Sequence, residues 1–422
     1  MSHSLPGDWR PISFGGIARD VSSRNRDRND IPVLSVTKYD GFVPSQEYFK
    51  KKVFSADTEN YKIVRRGQFA YATIHLDEGS IDRLTEFDAG LISPMYTVFQ
   101  LDEGQADPEF VLRLFKLFSS NGRFDALGNG GVNRRKSISF STLSKLELAL
   151  PPLHEQRRIA EILSSVDDAI EATREVIEQT RKVKQSALEH LLTKGVGHTR
   201  FKQTEIGEIP EGWEIVTLGD VAVQGSGLQT GPFGSQLKAQ EYVNDGIPIV
   251  MPRDIVSGSI STQQIAMATA AKANDLRIHK LQAGDLVFAR RGDIGRFGLI
   301  SHKEEGFLCG TGCLRARLDV EKIHPQFASA YLQSPFPIEW LNTNAVGQTM
   351  LNLNTSIISR LPLPLPKLNE QTVIIGSAEA IASSLRVNTQ KLERLVALKS
   401  ALMSDLLTGR RRVTDVLPMA AE

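Results

Sequence analysis

Leu150-Pro151-Pro152-Leu153-His154-Glu155-Gln156 returns later in the same chain as Leu365-Pro366-Lys367-Leu368-Asn369-Glu370-Gln371. Each copy opens a proline-free run that closes at Leu191-Leu192-Thr193 or at Leu406-Leu407-Thr408. A duplication of this kind decides the architecture before any local reading does. The match also extends upstream. Leu5-Pro6-Gly7-Asp8-Trp9, ending at Phe14-Gly15, corresponds to Ile209-Pro210-Glu211-Gly212-Trp213, ending at Leu218-Gly219. Ile31-Pro32-Val33-Leu34 corresponds to Ile247-Pro248-Ile249-Val250, Gly67 to Tyr71 to Gly284 to Phe288, and Pro108-Glu109-Phe110 to Pro325-Gln326-Phe327. Each half reads as a globular domain, a proline-rich exit and a long helix, and two copies imply an approximate two-fold relation.

The runs after the repeated turns carry a seam. Ile159, Leu163, Val166, Ile170, Thr173, Ile177, Thr180, Lys184, Ala187 and Leu191 alternate steps of four and three, as do Ile374, Ala378, Ile381, Leu385, Asn388, Leu392, Leu395, Lys399, Leu402 and Leu406. A period of about 3.5 residues kept over roughly four heptads predicts a coiled coil. The two helices, each on the order of 50 Å long, are expected to pair antiparallel. The alternative is that each packs on its own domain. Asn369 is the expected N-cap of the second helix, and Gly195 and Gly409 the expected stops.

The globular halves mix short β-type runs with one helix each. The runs are Ile31 to Val36, Gln68 to Ile74 and Tyr96 to Leu101, then Ile247 to Met251, Leu286 to Ala289 and Gly312 to Leu318. The helices are Pro108 to Phe118 and Pro325 to Leu332. The fold class expected is α+β. Globular domains over 1–150 and 196–363 are each followed by a long helix, over 151–195 and 364–409, with a basic and then flexible tail over 410–422.

With 422 residues there is room for two or three cores. At 41% hydrophobic and 23% charged, the composition is that of a soluble protein. No apolar run approaches the roughly 18 residues of a membrane span, and the cytoplasm is the expected compartment. Cys309 and Cys313 lack a nearby histidine cluster, so no zinc site is expected. A net charge of +1 argues against coating nucleic acid at large, but leaves room for local basic clusters.

Those clusters lie in polar, glycine-rich loops. In the first half they are Arg24, Arg26 and Arg28, with Arg134, Arg135 and Lys136. In the second half, Thr230 and Gln236 lie on one loop, Arg290, Arg291 and Arg296 on another, and Gln348 and Thr349 on a third. Arg can pair bidentately with guanine and Gln with adenine, while glycines bring backbone N–H groups close to phosphates. Any one of these side chains alone could equally be a solvated surface group.

The common catalytic elements are missing. No acidic residue stands two before a lysine, no Gly-Lys pair offers a phosphate loop, and the one Pro-Pro pair lies between leucines. The eight histidines are scattered.

Two variable halves, each followed by a Leu-Pro-x-x-Leu-x-Glu-Gln turn and a long helix, resemble the specificity subunit of type I restriction–modification systems. Further elements of the resemblance are Ile209 to Trp213, Thr230 to Ser235, Arg290 to Gly295 and Gly347 to Leu353. The first half departs from these loop motifs, with Thr73-Ile74 where the second has Arg290-Arg291. The resemblance implies a non-catalytic chain whose two target recognition domains read a split double-stranded DNA sequence, with the paired helices as spacer. It implies as partners two methyltransferase subunits docked on the helices and Glu-Gln turns, and restriction/translocase subunits. S-adenosylmethionine, ATP and Mg²⁺ would belong to those partners, and no cofactor to this chain. A system lacking the motor, a non-DNA coiled-coil scaffold with two interaction domains, and an enzyme of unrecognised chemistry remain as alternatives.

Overall fold

The computed structural model describes residues 7–50, 54–127, 137–347 and 351–413. The chain forms two compact units, the first built from two separate stretches of sequence and the second from one. The first comprises 1–175 with 389–422, the second 176–388. Both boundaries therefore fall inside a long helix.

In the first unit an antiparallel sheet runs in the order Ala18–Asp20, Tyr96–Leu101, Phe69–Ala72, Ile81–Arg83. Helix Pro108–Ser120 covers it. Asp107 caps that helix by accepting from the Phe110 N–H at 2.9 Å, and Pro108 occupies the first turn, where no N–H is needed. Its apolar stripe buries Phe110, Val111, Leu114, Phe115 and Phe118 against Phe14, Phe69 and Phe99. A two-stranded ribbon, Arg10–Ser13 with Glu147–Leu150, brings the start of the unit to its exit.

The second unit repeats this plan. Its sheet runs Leu228–Thr230, Cys313–Ala316, Leu286–Ala289, Phe297–Leu299, its helix is Pro325–Leu332 and its ribbon is Glu214–Thr217 with Pro362–Leu365. The proline-rich exit is thus a strand, tolerated because a two-stranded ribbon leaves the N–H side of each proline unpaired. The units diverge in their additional strands. The second carries a further mixed sheet containing one parallel pair, Ile247–Val250 with Leu308–Cys309.

The repeated turn has a structural cause. The Gln156 Oε1 accepts from the Asp107 N–H at 2.8 Å, while its Nε2 donates to the carbonyls of Pro151 at 2.9 Å and Gln105 at 3.2 Å. Gln371 does the same in the second unit, with the His324 N–H at 2.7 Å, the Pro366 carbonyl at 2.8 Å and the Lys322 carbonyl at 3.4 Å. Both glutamines are fully buried. Each ties a long helix to the N-terminus of the sheet-covering helix. Glu155 is buried too, and Glu370 binds the Trp213 Nε1–H at 3.0 Å. Glu155, Gln156 and Gln371 are buried and Glu370 is half-buried, and all four side chains make ties within the chain.

The long helices are Leu153–Lys194 and Leu368–Leu406. The carbonyls of Pro152 and Lys367 accept the first intrahelical bonds, so Asn369 sits within the first turn and is not the N-cap. Gly195 and Gly409 adopt the left-handed conformation (φ +67° and +72°) that ends helices. In the first unit Ile159 and Leu163 share a core with Leu406 and Leu407. In the second, Leu188, Leu191 and Leu192 share one with Ile374 and Ile375. Within each unit the start of one helix meets the end of the other, an antiparallel coiled coil. The named seam residues Val166, Ile170, Ile177, Ile381, Leu385, Leu392 and Leu395 are buried or half-buried. Thr173 and Asn388 bond back to their own helices, to the carbonyls of Ala169 and Ser384.

An ion-pair node fixes this packing in the first unit. Asp167 binds the Lys399 Nζ and the Arg113 Nη1, each at 2.6 Å. Partial burial raises the Asp167 carboxyl, but those two cations outweigh it and hold it below the ordinary aspartate range. A depressed folded-state pKa contributes stability above the unfolded value, lost as pH falls through the folded one. Asp167→Asn should therefore flatten the acid limb of the stability profile. Thermal melts between about pH 7 and about pH 3 check this, and parallel acid limbs for the two proteins would contradict it.

Candidate nucleic-acid interface

Three loops singled out by their composition meet at one end of the second unit's sheet. The turn Gly310 to Cys313 joins two of them, and the third pairs with the second. Gly231 donates its N–H to the Cys313 carbonyl at 2.9 Å, and Arg290 donates its own to the Gly312 carbonyl at 2.8 Å. The Leu353 N–H closes the third side on the Arg290 carbonyl at 2.9 Å, with a bridge between Arg291 and Asn352 beside it. A Cβ on Gly231 would stand 2.0 Å from the Gly310 carbonyl oxygen, so only glycine permits this approach.

The side chains at this rim divide into held and free. Arg290 is half-buried, its Nε donating to the Leu353 carbonyl at 3.1 Å. Arg296 is fastened to Asp293 at 2.7 and 3.2 Å and reaches the Pro252 carbonyl at 3.4 Å. Gln236 is exposed, but its Oε1 accepts the Phe233 N–H at 3.0 Å. Thr230 is half-buried at a strand end. Arg291 is exposed, and its guanidinium has no hydrogen-bond or ion-pair partner among the described residues. Asn352 Oδ1 and Thr311 Oγ1 are buried at the same junction without partners. Gln348 and Thr349 lie outside the described residues.

In the first unit the Ile138 N–H donates to the Thr73 carbonyl at 2.8 Å, the counterpart of the Leu353–Arg290 bond. The backbone junction is therefore repeated with an uncharged side chain. Arg24, Arg26 and Arg28 are exposed. Arg24 lies 3.4 Å from the Asn60 Oδ1, and Arg28 pairs with Glu59 at 3.0 Å. Arg134, Arg135 and Lys136 lie outside the described residues.

Burial pushes the Cys309 thiol up to about 12 and raises Cys313 as well, so both behave as core side chains. Among the described residues no group of three or more His, Cys, Asp or Glu could hold a metal, and no helix is long and apolar enough to cross a membrane. The 310–313 turn escaped the composition-based reading, although two glycines flanking one threonine mark it. So did a pair of latches, each three residues beyond a helix stop. His198 binds Glu370 at 2.8 Å, and Arg412 binds Glu155 at 2.7 Å.

The model of the type I restriction modification DNA specificity domain matches residues 90–180 and 210–396. The MjaVIII type I restriction enzyme specificity subunit of Methanocaldococcus jannaschii is 26% identical over 98% of this chain and 95% of that protein. The putative MjaX specificity subunit of the same organism is 29% identical over 97% and 95%. Among solved structures, the HsdS subunit from Thermoanaerobacter tengcongensis aligns over 97% of this chain and 99% of its own, with a TM-score of 0.56 at 17% identity. A chain from work on complex assembly and conformational transition of the type I R-M system aligns over 97% and 100%, with a TM-score of 0.59 at 17% identity.

Proposed function

The chain belongs to the type I restriction–modification DNA specificity family, and from that membership we propose that each compact unit reads one part of a split double-stranded DNA target. It is a non-catalytic subunit. Methylation and cleavage are assigned to partners, two methyltransferase subunits and the restriction/translocase subunits, which would bring S-adenosylmethionine, ATP and Mg²⁺. Exposed apolar residues on the long helices, among them Val176, Val183, Val387 and Val396, are the docking points we favour for the methyltransferase subunits. The cytoplasm, where these partners would meet DNA, is the compartment proposed.

One observation carries the DNA reading. Three loops of different sequence origin close on one another around the 310–313 turn and leave the guanidinium of Arg291 free to face a ligand. A free Arg suits guanine O6 and N7 or a phosphate. Arg290, being tied to Leu353, is a positioning residue for the loop. Both roles are testable in cells that express the chain with its methyltransferase partner, by mapping methylated adenines across the genome. Arg291→Ala should relax the motif at one position of one half-site, by about 1–3 kcal/mol of discrimination. Arg290→Ala should instead lower the melting temperature. An unchanged motif and unchanged DNA affinity for Arg291→Ala would overturn the assignment.

A further inference from the structure

Phe233 is 62% exposed, whereas every other described phenylalanine of the second unit is buried or half-buried. Its loop is firmly anchored. Gly231 is pressed onto the 310–313 turn, and Pro232 beside it is buried. Beyond the ring, the Gln236 N–H donates to the Phe233 carbonyl at 2.8 Å, the Gln236 side chain accepts the Phe233 N–H, and Leu237 is buried. The ring therefore stands at the tip of a turn pinned on both sides. Arg290, next to Arg291, donates its N–H to the Gly312 carbonyl of that same 310–313 turn.

A benzyl side chain held in water on a pinned turn is stabilised when a partner covers it. The flanking Gly231, Gly234 and Ser235 add no apolar surface, and an isolated ring is too small a patch for a protein partner. A single ring does fit between or against stacked bases, where apolar side chains wedge at base steps. We infer that Phe233 packs its ring against a base step of duplex DNA while Arg291 supplies the adjoining charged contact. This rests on the DNA-reading assignment above. Stacking tolerates any base, so Phe233 would contribute affinity and local deformation, leaving base choice to polar neighbours.

The test uses the full chain and duplexes carrying the target identified by the methylated-adenine map, with 2-aminopurine placed in turn at each step. The wild-type chain should raise the fluorescence at one step of the half-site that responds to Arg291→Ala. Phe233→Ala should abolish that rise and weaken binding roughly tenfold, with an unchanged salt slope because no charge is lost. Its melting temperature should match the wild type, and Phe233→Trp should retain both signals. Arg291→Ala should keep the rise and reduce the salt slope by about one. Wild-type affinity and fluorescence in Phe233→Ala would overturn this inference alone. A wild-type chain that leaves the duplex unbound would overturn the DNA reading with it.

Discussion

Arg412→Ala should cost about 3 kcal/mol of unfolding free energy, far beyond what a surface ion pair contributes. The Arg412 guanidinium donates to both oxygens of Glu155 at 2.7 and 2.8 Å and to both oxygens of Asp8 at 2.7 Å. The Asp8 side chain is about half exposed (48%) and would regain water, but the Glu155 side chain is only 5% exposed. Removing the cation leaves Glu155 as a buried charge stripped of its bidentate partner, and that residue dominates the loss. Arg412→Lys should recover only part, because an ammonium cannot reproduce the planar fork. Adding Glu155→Gln to Arg412→Ala should restore stability by removing the stranded charge. Denaturant titrations of the four proteins measure this, and a midpoint for Arg412→Ala equal to wild type would refute it.

Gln371→Ala should be comparably damaging, at about 3–5 kcal/mol. The substitution strands the buried Pro366 carbonyl, at about 1–3 kcal/mol, leaves the part-buried His324 N–H and Lys322 carbonyl without their partner, and opens a cavity as well. Gln371→Glu is the sharper variant. It keeps an acceptor for His324 but turns an ionised oxygen toward two carbonyl oxygens, so it should destabilise at neutral pH and recover partly in acid. Equilibrium unfolding at two pH values distinguishes these outcomes. A Gln371→Ala protein as stable as wild type would mean that the tie between helix and domain is dispensable.

The repeated turn was legible in the sequence, yet its reason was not. Local spacing gives no sign of it, because the partners of Gln156 and Gln371 come from backbone atoms distant in sequence. Local pattern succeeded where local physics decides. Strands Tyr96–Leu101 and Leu286–Ala289 and helix Pro325–Leu332 fall at the boundaries read from residue type, and the seam spacing marks the buried stripe of both helices. Asn369 has the residue type of an N-cap but lies in the first turn, because the Lys367 carbonyl already starts the helix. At the candidate interface, composition found three loops but ranked their side chains alike. Only the fold separates Arg291, which is free, from Arg290 and Arg296, which are held, and only the fold leaves Phe233 in water.

The latches at His198 and Arg412 set a compatibility rule for chimeras. The carboxylate at Glu155 is paired with a guanidinium encoded at the far end of the gene, and the one at Glu370 contacts an imidazole encoded before its own repeat begins. A gene fragment ending at the first helix stop would yield a head without its clasp. A hybrid that borrows one head from a relative inherits a foreign clasp unless the exchange carries both members of each couple, so productive crossovers must keep Glu155 with Arg412 and His198 with Glu370.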